Sequence, residues 1–183
     1  MNESRTRTRT RRAILDAAVT VLARDAGASL GEVASAAGVG RTTVHRYFAE
    51  RADLLRALID YANERVGEAT ARAELTHGSA ADALARLCRE YFELGDVLTV
   101  MFTGAIGNME DEPEQPHDRE LVALIHRGRE EGTLDPALSE AWTLSMLWAL
   151  LYTAWSLMRE QSMPRHEALD QCLVCLHKAV AAP

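Results

Sequence analysis

Residues Ser29 to Phe48 read SLGEVASAAGVGRTTVHRYF, two short helices joined by a glycine turn. The Ser29 hydroxyl can cap a helix N-terminus while Glu32, three positions on, reaches back to complete a capping box. From Leu30 the apolar residues Leu30, Val33, Ala34 and Ala37 follow the i, i+3, i+4, i+7 spacing of a helix with one buried face. Gly38 stands where the chain must reverse, because it accepts positive φ without a Cβ clash, and Val39 then anchors the turn. A second helix is predicted from about Gly40, with Val44 and Phe48 facing inward. That leaves Arg41, Thr42, Thr43, His45 and Arg46 on or near the outward side. Two arginines, two threonines, a histidine and no acid suit phosphate oxygens and base edges. The pattern is a helix-turn-helix, whose second helix enters the DNA major groove.

The longer stretch RRAILDAAVTVLARDAGASLGEVASAAGVGRTTVHRYFAERADLL resembles the DNA-binding domain of the tetracycline-repressor (TetR) family of transcriptional regulators. The likeness rests on the ILDAA of a first helix, the VASAAGV turn segment, the TTVHRYF segment and the spacing from Phe48 to Leu54. It implies that Thr43, His45 and Tyr47 sit at DNA-facing positions, Tyr47 where the family commonly touches a phosphate. His45 stands where the family often has tyrosine, and Arg51 where it usually has lysine. Both replacements keep a hydrogen-bond donor, so base preference is affected more than DNA binding. The expected DNA-binding set is Ser29, Arg41, Thr42, Thr43, His45, Arg46, Tyr47 and Arg51, with Arg51 bracing a phosphate.

Charge distribution agrees. The formal net charge of −7 alone argues against nucleic acid, but it hides an asymmetry: residues 1–60 hold ten arginines against seven acids, while the remainder holds ten basic residues against twenty acids. Arg5, Arg7, Arg9, Arg11 and Arg12 alternate with threonines. They read as a basic arm, too polar to fold alone and suited to lie along the phosphate backbone, with Arg11 and Arg12 opening the first helix.

The rest of the 183-residue chain is 48% hydrophobic with five prolines and shows no period-2 strand pattern. It reads as all-α, about nine helices. The first helix is expected over about 10–25, a fourth from about Ala49–Arg51 to Leu75, and a fifth over 80–94. A short apolar segment at 97–106 and an acidic, proline-containing loop at 107–116 follow. Further helices are expected over 117–131, through LSEAWTLSMLWALLYTAWSLM, and from Pro164 to about Ala181. The expected domains are 1–51, the helix-turn-helix with its basic arm, and 52–183, a ligand-binding and dimerisation domain joined by the long fourth helix.

The eighth helix is apolar nearly all round, so it must be buried nearly all round. One stripe is Leu144, Trp148, Leu151, Trp155 and Met158; a second is Trp142, Met146, Ala149, Tyr152 and Thr153. One face is expected to meet its own domain and the other a second subunit, a four-helix seam placed at Trp155 and Met158 with Leu169, Cys172, Leu173 and Leu176 of the last helix. Dimerisation also suits the DNA-binding reading, since a two-fold dimer reads a palindromic operator one DNA turn apart.

Tyr91, Phe92, Met101, Phe102, Met146, Trp148 and Tyr152 are candidates to line a pocket for a small-molecule inducer, hydrophobic or, if Glu90, Glu93 or Asp96 faces it, cationic. Cys172 and Cys175 form a CxxC without a second ligand pair, and with Cys88 are expected to be reduced apolar residues of a cytoplasmic chain. No metal or cofactor is implied, no apolar run of membrane length or signal sequence is present, and no phosphate loop, nucleophile signature or paired carboxylates support an enzyme. The preferred reading is a homodimeric, ligand-released repressor. A ligand-independent regulator or activator, and then a helical-bundle enzyme or interaction module, stand as alternatives.

Overall fold

The computed structural model of the chain describes residues 2–107 and 113–182. Among them are nine helices: α1 (Asn2–Arg24), α2 (Leu30–Ala36), α3 (Arg41–Tyr47), α4 (Arg51–Arg72), α5 (Ala80–Phe92), α6 (Gly95–Phe102), α7 (Pro116–Glu130), α8 (Glu140–Glu160) and α9 (Arg165–Val180). The fold is all-α, as expected; the described residues hold no strand beyond one isolated bridge between Leu134 and Ala181. Half of the expected acidic loop, 108–112, lies outside the described residues. No described helix is long and apolar enough to cross a membrane.

Two compact units emerge. The described residues of Met1–Arg65 and Asp96–Glu112 form one, and those of Val66–Gly95 and Pro113–Pro183 the other. The boundary between these compact units falls inside α4, because the first half of α4 buries Leu54, Ala57, Leu58 and Tyr61 in the N-terminal unit. Tyr61 donates its hydroxyl to the Asp16 carboxylate of α1. Burial, then that carboxylate, pushes the Tyr61 phenol up to about 12, which keeps it a donor.

The N-terminal core contains Ile14, Leu15, Ala18 and Leu22 of α1, Val33 and Ala34 of α2, Val44 of α3, and Phe48. α1 starts at Asn2, two turns earlier than expected, so the arginine-threonine arm is helical. Arginine is a good helix former, and the Thr10 hydroxyl bonds back to the Thr6 carbonyl at 3.0 Å. Arg7 and Arg11 lie over the rings of Tyr47 and Phe48, at 6.0 Å and 5.6 Å from guanidinium carbon to ring centre. Those aromatic faces give the extra turns a surface to pack on.

The C-terminal unit is built on α5, α7, α8 and α9. α5 buries Ala83, Leu84, Leu87, Cys88, Tyr91 and Phe92. α8 buries Thr143, Leu147, Leu151, Ala154 and Trp155, and α9 buries Ala168, Cys172, Leu176 and Val180. Each set is a single helical stripe. Gly128 of α7 admits the Leu134 side chain, which occupies the space a Cβ there would need.

Candidate functional site

The helix-turn-helix is assembled by local bonds that the sequence spells out. Ser29 accepts from the Glu32 amide at 3.3 Å, and the Glu32 carboxylate accepts from the Ser29 amide at 2.7 Å, so the capping box is complete. Those Ser29 bonds hold the Glu32 carboxyl below its ordinary range. Gly38 turns the chain with φ +66°, and the Val39 amide closes the turn on the Ala34 carbonyl at 3.0 Å. Val39 itself is half-buried.

α3 then shows two faces. Val44, with Phe48 just beyond the helix end, is buried, while Arg41, Thr42, His45 and Arg46 are exposed and Thr43 and Tyr47 half-exposed. α3 has no acid among its seven residues. Gly31 of α2 lies against the Arg41 guanidinium, where an added Cβ would sit 2.9 Å from Nε. The His45 ring is held to the Ala49 carbonyl at 3.2 Å. Tyr47 lies within 5.7 Å of the Arg46 guanidinium and 6.0 Å of that of Arg7. A cleft of about 380 Å³ lined by Arg7, Arg11, Arg12, Tyr47 and Tyr61 opens beside it. Two of the expected DNA-binding residues also hold the fold together. Ser29 is occupied as the cap of α2. The Arg51 guanidinium donates to the Ala28 carbonyl and, at 2.5 Å, to that of Ala26, clamping the α1–α2 loop to the start of α4.

In the C-terminal unit the rings of Tyr91 and Trp148 stack, centres 5.1 Å apart and planes within 13°. The Tyr91 hydroxyl meets the Thr70 hydroxyl at 2.7 Å, and Thr70 also donates to the Val66 carbonyl at 2.9 Å. Burial raises the Tyr91 phenol above its ordinary range, so it stays protonated. His117, at the start of α7, is buried near Gly67, one turn before Thr70. Burial lowers its basicity and favours the neutral ring. Thr70 and His117 escaped the sequence reading because a lone buried threonine or histidine carries no local signature.

The seven ligand candidates are divided between the two units. Tyr91, Phe92, Met146 and Trp148 belong to the C-terminal unit with buried or half-buried side chains, whereas Met101 and Phe102 belong to the N-terminal unit, Phe102 being 49% exposed. Tyr152 is 45% exposed on the outer face of α8. Of the candidate acids, Glu90 pairs with Arg72 at 2.7 Å, Glu93 pairs with Arg165 at 2.5 Å, and Asp96 is exposed.

The expected seam residues are also placed differently. Trp155, Cys172 and Leu176 are core of the C-terminal unit, and Met158, Leu169 and Leu173 are half-buried. The outward faces carry Trp142, Ser145, Ala149, Tyr152 and Thr153 on α8, and Gln171, Val174 and Cys175 on α9. The first α8 stripe therefore faces its own unit, since Trp155 fills the space left by Gly95 and donates Nε1 to the Phe92 carbonyl at 3.1 Å.

Comparison with known proteins decides the family. Residues 14–58 match the family signature "Bacterial regulatory proteins, tetR family". The HTH-type transcriptional repressor LfrR of Mycolicibacterium smegmatis is 37% identical over 186 residues, covering 97% of this chain and 94% of LfrR. The chain belongs to the TetR family of transcriptional regulators. Its relatives are regulators, not enzymes. Crystal structures of LfrR superpose at 35% identity, alone with a TM-score of 0.67 over 90% of this chain and 95% of LfrR. In complex with proflavine the TM-score is 0.72, over 92% and 95% of the two chains. This TetR regulator thus pairs an N-terminal helix-turn-helix DNA-binding domain with a C-terminal helical domain.

Proposed function

We propose that this regulator is a homodimeric repressor that holds a palindromic operator through α3 and is released from it by a planar, hydrophobic or cationic small molecule. The observation that carries the DNA half is the exposed, acid-free face of Arg41, Thr42, His45 and Arg46 over a buried Val44. The helical arm adds Arg5 and Arg9, both exposed, as further partners for phosphates. The ligand half is supported by the Tyr91–Trp148 stack, with Phe92, Met146 and the Thr70 hydroxyl beside it in sequence or contact, and by the relative crystallised with proflavine. An aromatic pair of this kind can open to sandwich a third planar ring. α4, unbroken from Arg51 to Arg72, is the covalent path by which a change at Thr70 reaches Arg51, four residues after the end of α3.

The test is a mobility-shift titration on the promoter fragment beside the protein's own gene. We expect a salt-dependent shift, its reversal by proflavine, and a salt slope reduced by about one unit in Arg46→Ala. No shift refutes the DNA reading; a shift that no planar cation reverses favours the ligand-independent regulator.

The dimer seam of this reading is the outward face of α8 and α9. Three of the large exposed hydrophobic side chains lie there: Trp142 at 58%, Tyr152 at 45% and Val174 at 52%. Charged Tyr152→Glu is expected to yield folded monomers by sedimentation equilibrium, with the helical signal retained. A variant that remains dimeric places the seam elsewhere.

A further inference from the structure

The three cysteines are all free, and the CxxC pattern is not what the fold brings together. Cys175 is exposed on α9, while Cys172 points inward to Cys88 of α5. The two buried sulfurs are 3.7 Å apart although 84 positions separate them in sequence. We infer that Cys88 and Cys172 are a redox modification site, closing to an intramolecular disulfide when the protein meets a hydroperoxide.

Either thiol can donate its S–H to the other, and the two differ in access: Cys172 is 4% exposed and Cys88 fully buried, so an oxidant reaches the Cys172 sulfur first. Cys172 is thus the nucleophile and Cys88 the resolving thiol. A mostly apolar crevice of about 40 Å³ between α5 and α9, lined in part by Leu84, Ala85, Leu173 and Leu176, lies close to the pair, although neither sulfur lines it. Leu84 lies one turn before Cys88 and Leu176 one turn after Cys172. A space of that size admits a molecule on the scale of water or hydrogen peroxide and excludes bulky oxidants.

The Cys172 thiolate attacks one peroxide oxygen and breaks the O–O bond. Sulfur is oxidised to a sulfenic acid, and the other oxygen leaves as hydroxide or alkoxide that takes up a proton. The Cys88 sulfur then attacks the Cys172 sulfur, expelling water as its own proton departs. In total two thiols lose two hydrogens and one hydroperoxide is reduced to water and the corresponding alcohol, or to two waters from hydrogen peroxide. Forming the bond needs the sulfurs to approach from 3.7 Å to about 2.05 Å. That movement ties α5, which carries Tyr91 one turn beyond Cys88, directly to α9.

The experiment treats the reduced full-length protein with hydrogen peroxide, alkylates the remaining thiols, and maps the digest by mass spectrometry. The expected product is a cross-linked pair of peptides holding Cys88 and Cys172, with two hydrogens lost and Cys175 alkylated. The thermal midpoint should rise by about 10 °C and return on reduction by dithiothreitol. Cys175→Ser should give the same cross-link, and Cys88→Ser should stop at a Cys172 sulfenic acid that dimedone traps. A Cys88 that stays fully alkylatable while Cys175 is consumed overturns the inference, as does a Cys172–Cys175 cross-link. Cys175→Ser keeps the test decisive if the Cys88 variant does not fold.

Discussion

Arg51→Ala is expected to weaken operator binding about ten- to hundred-fold while leaving the salt dependence of binding unchanged. The sequence likeness sets Arg51 at a phosphate, where loss of its charge would lower the salt slope by about one unit. Its guanidinium is instead spent on two carbonyls, those of Ala26 and Ala28, which end the loop leading into the Ser29 cap of α2. Ala28 is only 2% exposed, so its carbonyl has little water to replace the lost donor. A charge-assisted bond to such a group is worth about 1.5–3 kcal/mol, and its removal loosens the start of α4 from the loop before α2. α3 lies between those two points, so its aim suffers although no DNA contact is removed. Arg51→Lys should recover only part of the loss, because one ammonium cannot span two carbonyls as a planar fork does. Fluorescence anisotropy over a salt series separates the two roles. A slope lower by one unit, with affinity restored by lysine, would return Arg51 to the phosphate.

Arg51 also marks where sequence reading stops. The capping box, the turn glycine and the inward spacing of Val44 and Phe48 are all local, encoded within a few residues of where they act, and each is found as expected. The Arg51 clamp joins residues 23 and 25 positions apart, and nothing in either segment alone announces it. The arm misled for a different reason. Its composition reads as unfolded when taken alone, yet it continues α1 and gains packing surface from Tyr47 and Phe48, which come later in the chain. α8 was ambiguous by nature, because a helix apolar all round gives periodicity no direction. Gly95 and the Phe92 carbonyl, both distant in sequence, hold Trp155 inward. The division of the pocket candidates is hidden on the same count: Met101 and Phe102 share the chemistry of Tyr91 and Trp148 but belong to the other unit.

Trp155→Ala is expected to destabilise the protein by about 3–5 kcal/mol, lowering the thermal midpoint by roughly 10 °C. The ring is 5% exposed, lies against Gly95 where a Cβ would come within 3.1 Å of Nε1, and donates to the Phe92 carbonyl at 3.1 Å. Alanine leaves a ring-sized void and an acceptor without its donor, two costs that add. Trp155→Phe retains most of the volume and loses the donor, so about 1–3 kcal/mol is expected from the unsatisfied carbonyl. Urea denaturation of the three proteins gives both differences. Had Trp155 been the dimer seam, its truncation would make the melting midpoint strongly dependent on protein concentration and produce monomers before unfolding. A core role predicts the reverse: stability falls for the chain itself, and the surviving folded fraction keeps the assembly state of the wild type. Tyr152→Glu supplies the opposite pattern, assembly lost with the fold kept. The pair of variants therefore assigns the two faces of α8 independently of each other.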